Sequence, residues 1–243
     1  MYKGIYIAAS GAVLKQTQLE VITQNIANAN TAGYKKDAIA FRDYLFQKEA
    51  ATEPDGRVMS DYGSSKTDLT SGNAVKTGNV LDIAVEGNGF IALEGDRYTR
   101  RGDLKKNSDG FLTTYDGIKV LGSGGPISLP ADSMQISIDL EGKVSVLQAG
   151  SSLPVEIDTI KIVDFGPDAN LVKTGNGLFT ANGAAGTTAT AAVKQGYLET
   201  SNVDIVKEMV AMIEAMREFE TYQKAIHIFD NATSKVTNEL GRL

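Results

Sequence analysis

The chain has no cysteine, no tryptophan and a single histidine, His227. Without cysteine there are no disulfides and no thiolate metal sites, and one histidine is too few for a His-rich zinc site. Nor is there an excess of positive charge: 24 Lys and Arg stand against 30 Asp and Glu, a formal charge of -6. That balance gives no general attraction to nucleic acid or to an anionic membrane. The basic pairs Lys35-Lys36, Arg100-Arg101 and Lys105-Lys106 are isolated and read as solvated surface. No stretch approaches ~18 apolar residues, so no transmembrane segment is expected. Met1 to Ala12 lacks a basic start, a continuous apolar stretch and a cleavage site, so no cleaved secretory signal is expected either.

What is present falls into three parts. Residues 1 to about 33 are glycine-poor with a helical period. Residues from about 60 to 196 hold nearly all of the 25 glycines and all but one of the five prolines. Residues 197–243 hold no proline, and Gly241 is the only glycine among them.

In the first part Ile5, Ala8, Ala12, Leu19, Ile22, Ile26 and Ala29 recur at spacings of three, four and seven, which is one face of a helix. Lys15 interrupts that stripe. Ile7, Leu14 and Val21 form a second stripe on a flanking face, so the apolar arc is wider than one partner needs. The spacing predicts a helix ending near Asn30-Thr31-Ala32-Gly33, where Asn and Gly suit a left-handed cap. In the last part Ile205, Met212, Phe219, Ile226 and Leu240 share a seven-residue register in which Thr233 is the polar member. Met209 and Met216 make a companion stripe, and Tyr222, Phe229, Val236 and Leu243 take over from it. This is a heptad seam, with Ser201-Asn202 as its expected N-cap. A helix from Val203 to Leu240 would run roughly 57 Å at ~1.5 Å per residue. A helix of that length cannot bury its stripe on one small β domain and needs other helices.

The middle reads as β. Short alternating runs (Val80–Val85, Phe90–Leu93, Phe111–Tyr115, Met134–Ile138, Val144–Leu147, Glu156–Phe165) are separated by turn signals such as Asn107-Ser108-Asp109-Gly110. Thr52 to Gly72 reads as an extended connector, Ala38 to Glu49 as a helical turn or a strand, and Thr180 to Ala192 as a flexible Ala/Gly/Thr loop. The expected fold class is α+β: long N- and C-terminal helices forming a coiled-coil-like pair, with a central, mainly antiparallel β domain. The expected boundaries are 1–33 for the N-terminal assembly helix, 34–75 for the connector, 76–196 for the β domain and 197–243 for the C-terminal assembly helix.

No segment carries recognisable chemistry. Gly87-Asn88-Gly89 opens a strand where a dinucleotide fold needs a third glycine and a helix. Gly122-Ser123-Gly124-Gly125-Pro126 lacks the Lys-Ser/Thr ending of a phosphate loop, and its proline blocks a helix start. Asn107 to Gly110 lacks the remaining acidic ligands and the closing Glu of a calcium loop. His227 has no positioned Ser, Cys or second His and reads as a surface or interface residue. No catalytic, cofactor-binding or metal residue is expected, and no small-molecule substrate.

Two segments at opposite ends carry a resemblance. Gln24-Asn25-Ile26-Ala27-Asn28-Ala29-Asn30-Thr31-Ala32-Gly33-Tyr34-Lys35, with Gly11, Gln18 and Ile22 upstream, resembles the N-terminal signature of flagellar rod, hook and junction proteins. Gln195-Gly196-Tyr197-Leu198-Glu199-Thr200-Ser201-Asn202-Val203-Asp204, continuing through Glu208-Met209-Val210 and Arg217, Phe219 and Glu220, resembles the start of the family's C-terminal helix. Leu81 to Phe90, Tyr98-Thr99-Arg100 and Val120-Leu121-Gly122 extend the resemblance through the middle. It implies a structural subunit of the bacterial flagellar basal-body rod. Its terminal helices would self-assemble with copies of itself and other rod subunits, and the rod would transmit torque from motor to hook. It also implies passage through the flagellar type III export apparatus without a cleaved signal, to the periplasmic rod. Ile5-Tyr6 and Gly125-Pro126-Ile127-Ser128-Leu129-Pro130 look more like the proximal-rod branch, FlgF, than the distal-rod branch, FlgG. The residues expected at the assembly interface are Ile5, Leu14, Leu19, Ile22, Asn25, Ile26 and Asn28 from the first helix. From the last they are Ile205, Met209, Met212, Met216, Phe219, Tyr222, Ile226, Phe229, Val236 and Leu240. The competing classes are a secreted adhesin-like β-domain protein, which would not need a wide two-ended helical seam, and an enzyme, which would need convergent titratable groups.

Overall fold

The computed structural model describes residues 2–45, 58–150, 153–166, 171–183, 186–189 and 191–240, with backbone alone at 2–3, 40–45, 58–65, 236, 239 and 240. The chain forms two compact units and passes between them four times. One unit holds residues 1–27, 37–68 and 204–243; the other holds 28–36 and 69–203.

The first unit contains helix α1 (Tyr2–Ala27), strands β1 (Asp37–Leu45) and β2 (Val58–Thr67), and, at the far end of the chain, helix α2 (Ile205–Leu240). α1 and α2 pack on each other, and α1 also meets both strands. β1 and β2 pair antiparallel from Asp37 opposite Thr67 to Leu45 opposite Val58, with a bulge between Ile39 and Phe41. The expected connector therefore contains a two-stranded ribbon. The described parts of Ala38 to Glu49 form a strand, and residues 46–57 lie outside the described residues.

Both helix boundaries move inward from the sequence reading. α1 stops at Ala27, where the Thr31 amide and hydroxyl fold back onto the Asn28 carbonyl and side chain. Gly33 still takes the left-handed conformation expected of it, φ 64°. α2 starts at Ile205 because the cap is Asp204, not Ser201-Asn202. The Asp204 carboxylate accepts the amides of Val206 (3.1 Å) and Lys207 (3.2 Å). These two bonds satisfy first-turn donors that have no partner within the helix.

The second unit is built from short strands, all antiparallel in their ladders: β3 (Ala74–Lys76), β4 (Ile83–Glu86), β5 (Phe90–Leu93), β6 (Arg97–Thr99), β7 (Lys105–Lys106), β8 (Leu112–Thr113), β9 (Ser133–Ile138), β10 (Lys143–Gln148), β11 (Val155–Thr159), β12 (Ile162–Asp164), β13 (Val172–Gly175), β14 (Leu178–Thr180), β15 (Thr187–Thr188), β16 (Ala192–Gln195) and β17 (Tyr197–Glu199). The largest sheet has the order β13-β14-β6-β5-β12-β15; β11-β10-β9 form a second, and β16-β4, β17-β3 and β7-β8 are pairs.

β5 shows why its sequence is apolar at every position. Strand side chains alternate between faces. Ile91 and Leu93 enter the main core with Val120, Ile127, Val144 and Val146, while Phe90 and Ala92 enter a second core with Val163, Phe165, Leu171 and Phe179. The second core is aromatic: Phe90 meets Phe179 edge-on at 5.2 Å between ring centres, and Tyr98 meets Phe165 at 4.7 Å. Each large side chain closed off in this way contributes roughly 1.5–3 kcal/mol.

Turn chemistry fixes the hairpins. The Asn107 carboxamide accepts the amides of Asp109 and Phe111 between β7 and β8, and Asp139 accepts those of Glu141 and Lys143 between β9 and β10. The low-complexity stretch read as a loop contains β15, which pairs with β12 through Val163–Thr188 and Asp164–Thr187. Its small residues allow close approach: a Cβ at Gly186 would lie 2.1 Å from a Val163 methyl.

Candidate assembly interface and a buried ionic junction

The two long helices run antiparallel, and their shared face is lined by small residues against rings. Gly4 faces Phe229 and Gly11 faces Tyr222; a Cβ would lie 2.8 Å from the first ring and 2.6 Å from the second. Ala8, Ala12 and Ile22 of α1 and Ala215 of α2 are buried. Lys15, which breaks the apolar stripe in the sequence, bonds Gln18 on its own helix and pairs with Glu218 of α2. At the far end of α1 Asn25, 1% exposed, donates to the Asp37 carbonyl (2.9 Å), accepts the Asp37 amide (3.0 Å) and reaches Glu208 of α2 (3.4 Å). A side-chain amide thus supplies both bonds of a ladder rung to the first residue of β1.

The expected interface residues divide between inward and outward positions. Leu14, Ile22 and Asn25 are buried, and Ile5, Leu19, Ile26 and Asn28 are half-buried. On α2, Met212, Phe219, Tyr222, Ile226 and Phe229 are half-buried. Ile205, Met209 and Met216 are exposed, with Val206, Val210 and Ile213 beside them. The Met209–Met216 stripe is therefore not the inner companion of Met212 and Phe219: Tyr222, the ring that Gly11 receives, and Ala215, buried one heptad before it, take that place. Val236 and Leu240 fall within α2, but their side chains lie outside the described residues, as does Leu243. His227 is exposed.

The second feature escaped the sequence reading altogether. Lys35 and Arg100, read as surface, are 0% and 2% exposed, and both close on Glu199, 3% exposed. The Lys35 ammonium donates to Glu199 Oε1 (2.5 Å) and to the Thr70 carbonyl (2.7 Å). Glu199 Oε1 also accepts the Gly72 amide (2.8 Å), and Oε2 accepts Arg100 Nη1 (3.3 Å). Arg100 continues to the carbonyls of Val85 (2.9 Å) and Gly87 (2.5 Å) and lies over the Phe90 ring at 5.3 Å. Burial holds the Arg100 guanidinium below its ordinary pKa, opposed by the charges of Glu199 and Asp164.

Backbone bonds tie the same segments. The Gly33 amide donates to the Glu199 carbonyl (2.8 Å), the Asn202 amide to the Tyr34 carbonyl (3.3 Å), and the Lys36 amide to the Asn202 side chain (2.8 Å). Gly33 has no room for a side chain, since a Cβ would lie 2.5 Å from the Arg100 backbone. Each ion here has several fixed partners, the condition under which a buried charge is tolerated.

The Gly122–Gly125 loop, phosphate-like in composition, gives the amides of Ser123 and Gly124 to the Asp158 carboxylate. Among the described residues, no group of three or more His, Cys, Asp and Glu could hold a metal ion, and no helix is long and apolar enough to cross a membrane.

A β unit and a pair of terminal helices with apolar surface left over define a structural subunit. Three segments match models of one family of such proteins. Residues 5–35 match the flagella basal body rod protein model, 84–146 the D1 domain of the flagellar hook protein FlgE/F/G, and 194–239 the flagellar basal body rod FlgEFG protein C-terminal model. Whole-length relatives agree. The flagellar basal-body rod protein FlgG of Agrobacterium fabrum is 34% identical, covering 98% of this chain and 99% of its own, and FlgG of Bacillus subtilis is 33% identical with the same coverage. FlgF of Caulobacter vibrioides is 31% identical across the whole of both chains. The chain belongs to the flagellar basal-body rod protein family, and it is a structural subunit of that rod.

Proposed function

We propose that α1 and α2 form a coiled-coil-like pair that builds this subunit into the rod beside copies of itself and other rod subunits, and that the joined helices carry torque from motor to hook. The observation behind this reading is the surface left over when the helices pair. Val206 (72% exposed), Met209, Val210, Ile213 and Met216 form a contiguous apolar stripe on α2. Their spacing of three and four puts them on one side of the helix. A stripe of this kind marks an interaction surface, and neighbouring subunits are its occupant. Residues 34–75 connect the helical and β parts along the chain and include the β1–β2 ribbon of the helical unit.

The chain travels through the flagellar type III export apparatus to the periplasmic rod. Nucleic acid and small-molecule substrates have no place in this reading.

Replacing Met209 and Ile213 together with Glu tests it. The isolated subunit should keep its thermal midpoint, while cells should lose rod completion and swimming. The control Glu214→Lys, at an exposed position, should swim. Normal swimming of the double variant would remove the stripe from the interface.

Within the family we place the chain in the proximal, FlgF-like branch, on Ile5-Tyr6 and the Gly125–Pro130 segment. The distal reading is favoured by the 34% identity to the Agrobacterium FlgG. One cysteine introduced at exposed Tyr115, the only one in the chain, allows a gold label whose position along isolated basal bodies separates the two.

A further inference from the structure

The helix pair leaves a second apolar patch uncovered besides the α2 stripe. It lies on α1, where Tyr6, Ile7 and Val13 are each more than half exposed. Both patches look away from the seam. Tyr6 is two residues from Gly4, Val13 two from Gly11, Val206 two from Glu208 and Ile213 two from Ala215, and these four neighbours face inward. Two residues turn a helix by about 200°, so each patch is on the side of its helix opposite to the partner helix. Each is also confined to one end. Past Val13 the outer side of α1 carries exposed Glu20 and Gln24, and past Met216 that of α2 carries exposed Glu220 and Lys224.

The seam gives the distance between the patches. Gly4, Gly11, Lys15 and Asn25 stand opposite Phe229, Tyr222, Glu218 and Glu208, one step along α1 for each step back along α2. Ala211, in the middle of the stripe, is therefore level with Ile22. The middle of the α1 patch lies between Ala9 and Ser10, about 12–13 residues away, roughly 19 Å at ~1.5 Å per residue.

Patches on opposite sides and at opposite ends cannot meet within one chain. A two-fold dimer does not satisfy them either, since stripe on stripe closes on itself and leaves Tyr6 and Val13 bare. A second copy, shifted along the axis without being turned over, does bring the unlike patches together and leaves one of each free for the next copy. Such a heterologous contact builds an open filament, and the relatives of this chain are rod proteins. The α1 surface also suits an apolar partner. No residue from Gly4 to Leu14 is charged, so covering it strips water from no ion.

Resting on the reading above, in which neighbouring subunits cover the stripe, we propose that the stripe of one subunit docks on Tyr6, Ile7 and Val13 of a second copy. The two helices in contact run antiparallel, and the copies are offset by roughly 19 Å along the helix axis. In this arrangement Val13 meets Met209 and Tyr6 meets Ile213.

The native chain has no cysteine, so disulfides between introduced cysteines report these contacts in isolated basal bodies. Val13→Cys with Met209→Cys in one chain should, on oxidation, give a ladder of dimers, trimers and larger species on a non-reducing gel. Within one chain these positions are about 11 residues apart along the seam, roughly 16 Å, which is beyond the reach of a disulfide. Tyr6→Cys with Ile213→Cys should give the same ladder; if either pair fails to build rods, the other decides. Each single variant should stay monomeric, and so should Tyr6→Cys with Val206→Cys, which is out of register. Dimers from Met209→Cys alone would show stripe on stripe and overturn the proposal. Monomers from the matched pairs, or an equal ladder from the out-of-register pair, would overturn it too. The Met209 and Ile213 double Glu variant separates this failure from that of the underlying reading. If that variant swims, the stripe is no interface; if it does not swim while the matched pairs stay monomeric, another face covers the stripe.

Discussion

Ile91, Val120, Val144 and Val146 in the β unit are closed off from solvent completely, and Lys35, Glu199 and Arg100 beside them have fixed partners. Across the α1–α2 face the contacts run between glycines, alanines and rings, and one side of α2 leaves five large apolar residues exposed. The first region closes two cores within a single chain, while the second leaves Val206, Met209, Val210, Ile213 and Met216 uncovered as one stripe. In the assembly proposed above, neighbouring subunits cover that stripe.

The largest effect should come from opening the first region. Phe179→Ala removes a ring packed on Phe90 and should cost about 3–5 kcal/mol, read as a lowered urea midpoint for loss of β signal. A loss under about 1 kcal/mol would show that the second core is as loose as the helix seam, and the contrast would fail.

Next in size is Gly11→Val. The new side chain cannot share space with the Tyr222 ring, and overpacking of this kind costs about 1–3 kcal/mol. Amide exchange should accelerate in α1 and α2 while β5 and β10 keep their protection. Equal acceleration in both regions would mean that they unfold as one.

The smallest concerns the α2 cap. The Lys207 amide bonding to the Asp204 carboxylate, helped by the Lys207 charge and the Val206 amide, lowers the Asp204 pKa. Its contribution is therefore complete above the ordinary Asp value of about 4 and fades as pH falls through the lower folded value. In Asp204→Asn, acidification below about pH 4 should no longer loosen the first turn of α2, measured by exchange at Val206 and Lys207. An unchanged acid response would assign the effect to another group.

Much of this architecture was legible in the sequence because it is written in periodicity: a period near 3.6 at the two ends, a period near 2 and turn residues between. The inner face of the helix pair was only half legible. Hydrophobic patterning gives weight to large residues such as Met209 and Met216, whereas close packing here selects Gly4, Gly11 and Ala215. The ionic junction was illegible for a different reason. Lys35 and Glu199 are 164 positions apart, and nothing local distinguishes a lysine that will be buried from one that will not. Of the ribbon, β1 was half legible, as a helical turn or a strand, while β2 was obscured by its Ser, Thr, Asp and Gly content, which reads as connector although the backbone pairs.

That ribbon is closed at its base. Asp37 and Thr67 stand opposite each other, and the Thr67 hydroxyl bonds the Asp37 carboxylate at 2.7 Å. The backbone is returned at the point where it departed, anchored there by Asn25. Rungs can be added or removed in pairs beyond this point without moving the anchorage, so the length of the ribbon is decoupled from what is fastened at Asp37 and Thr67.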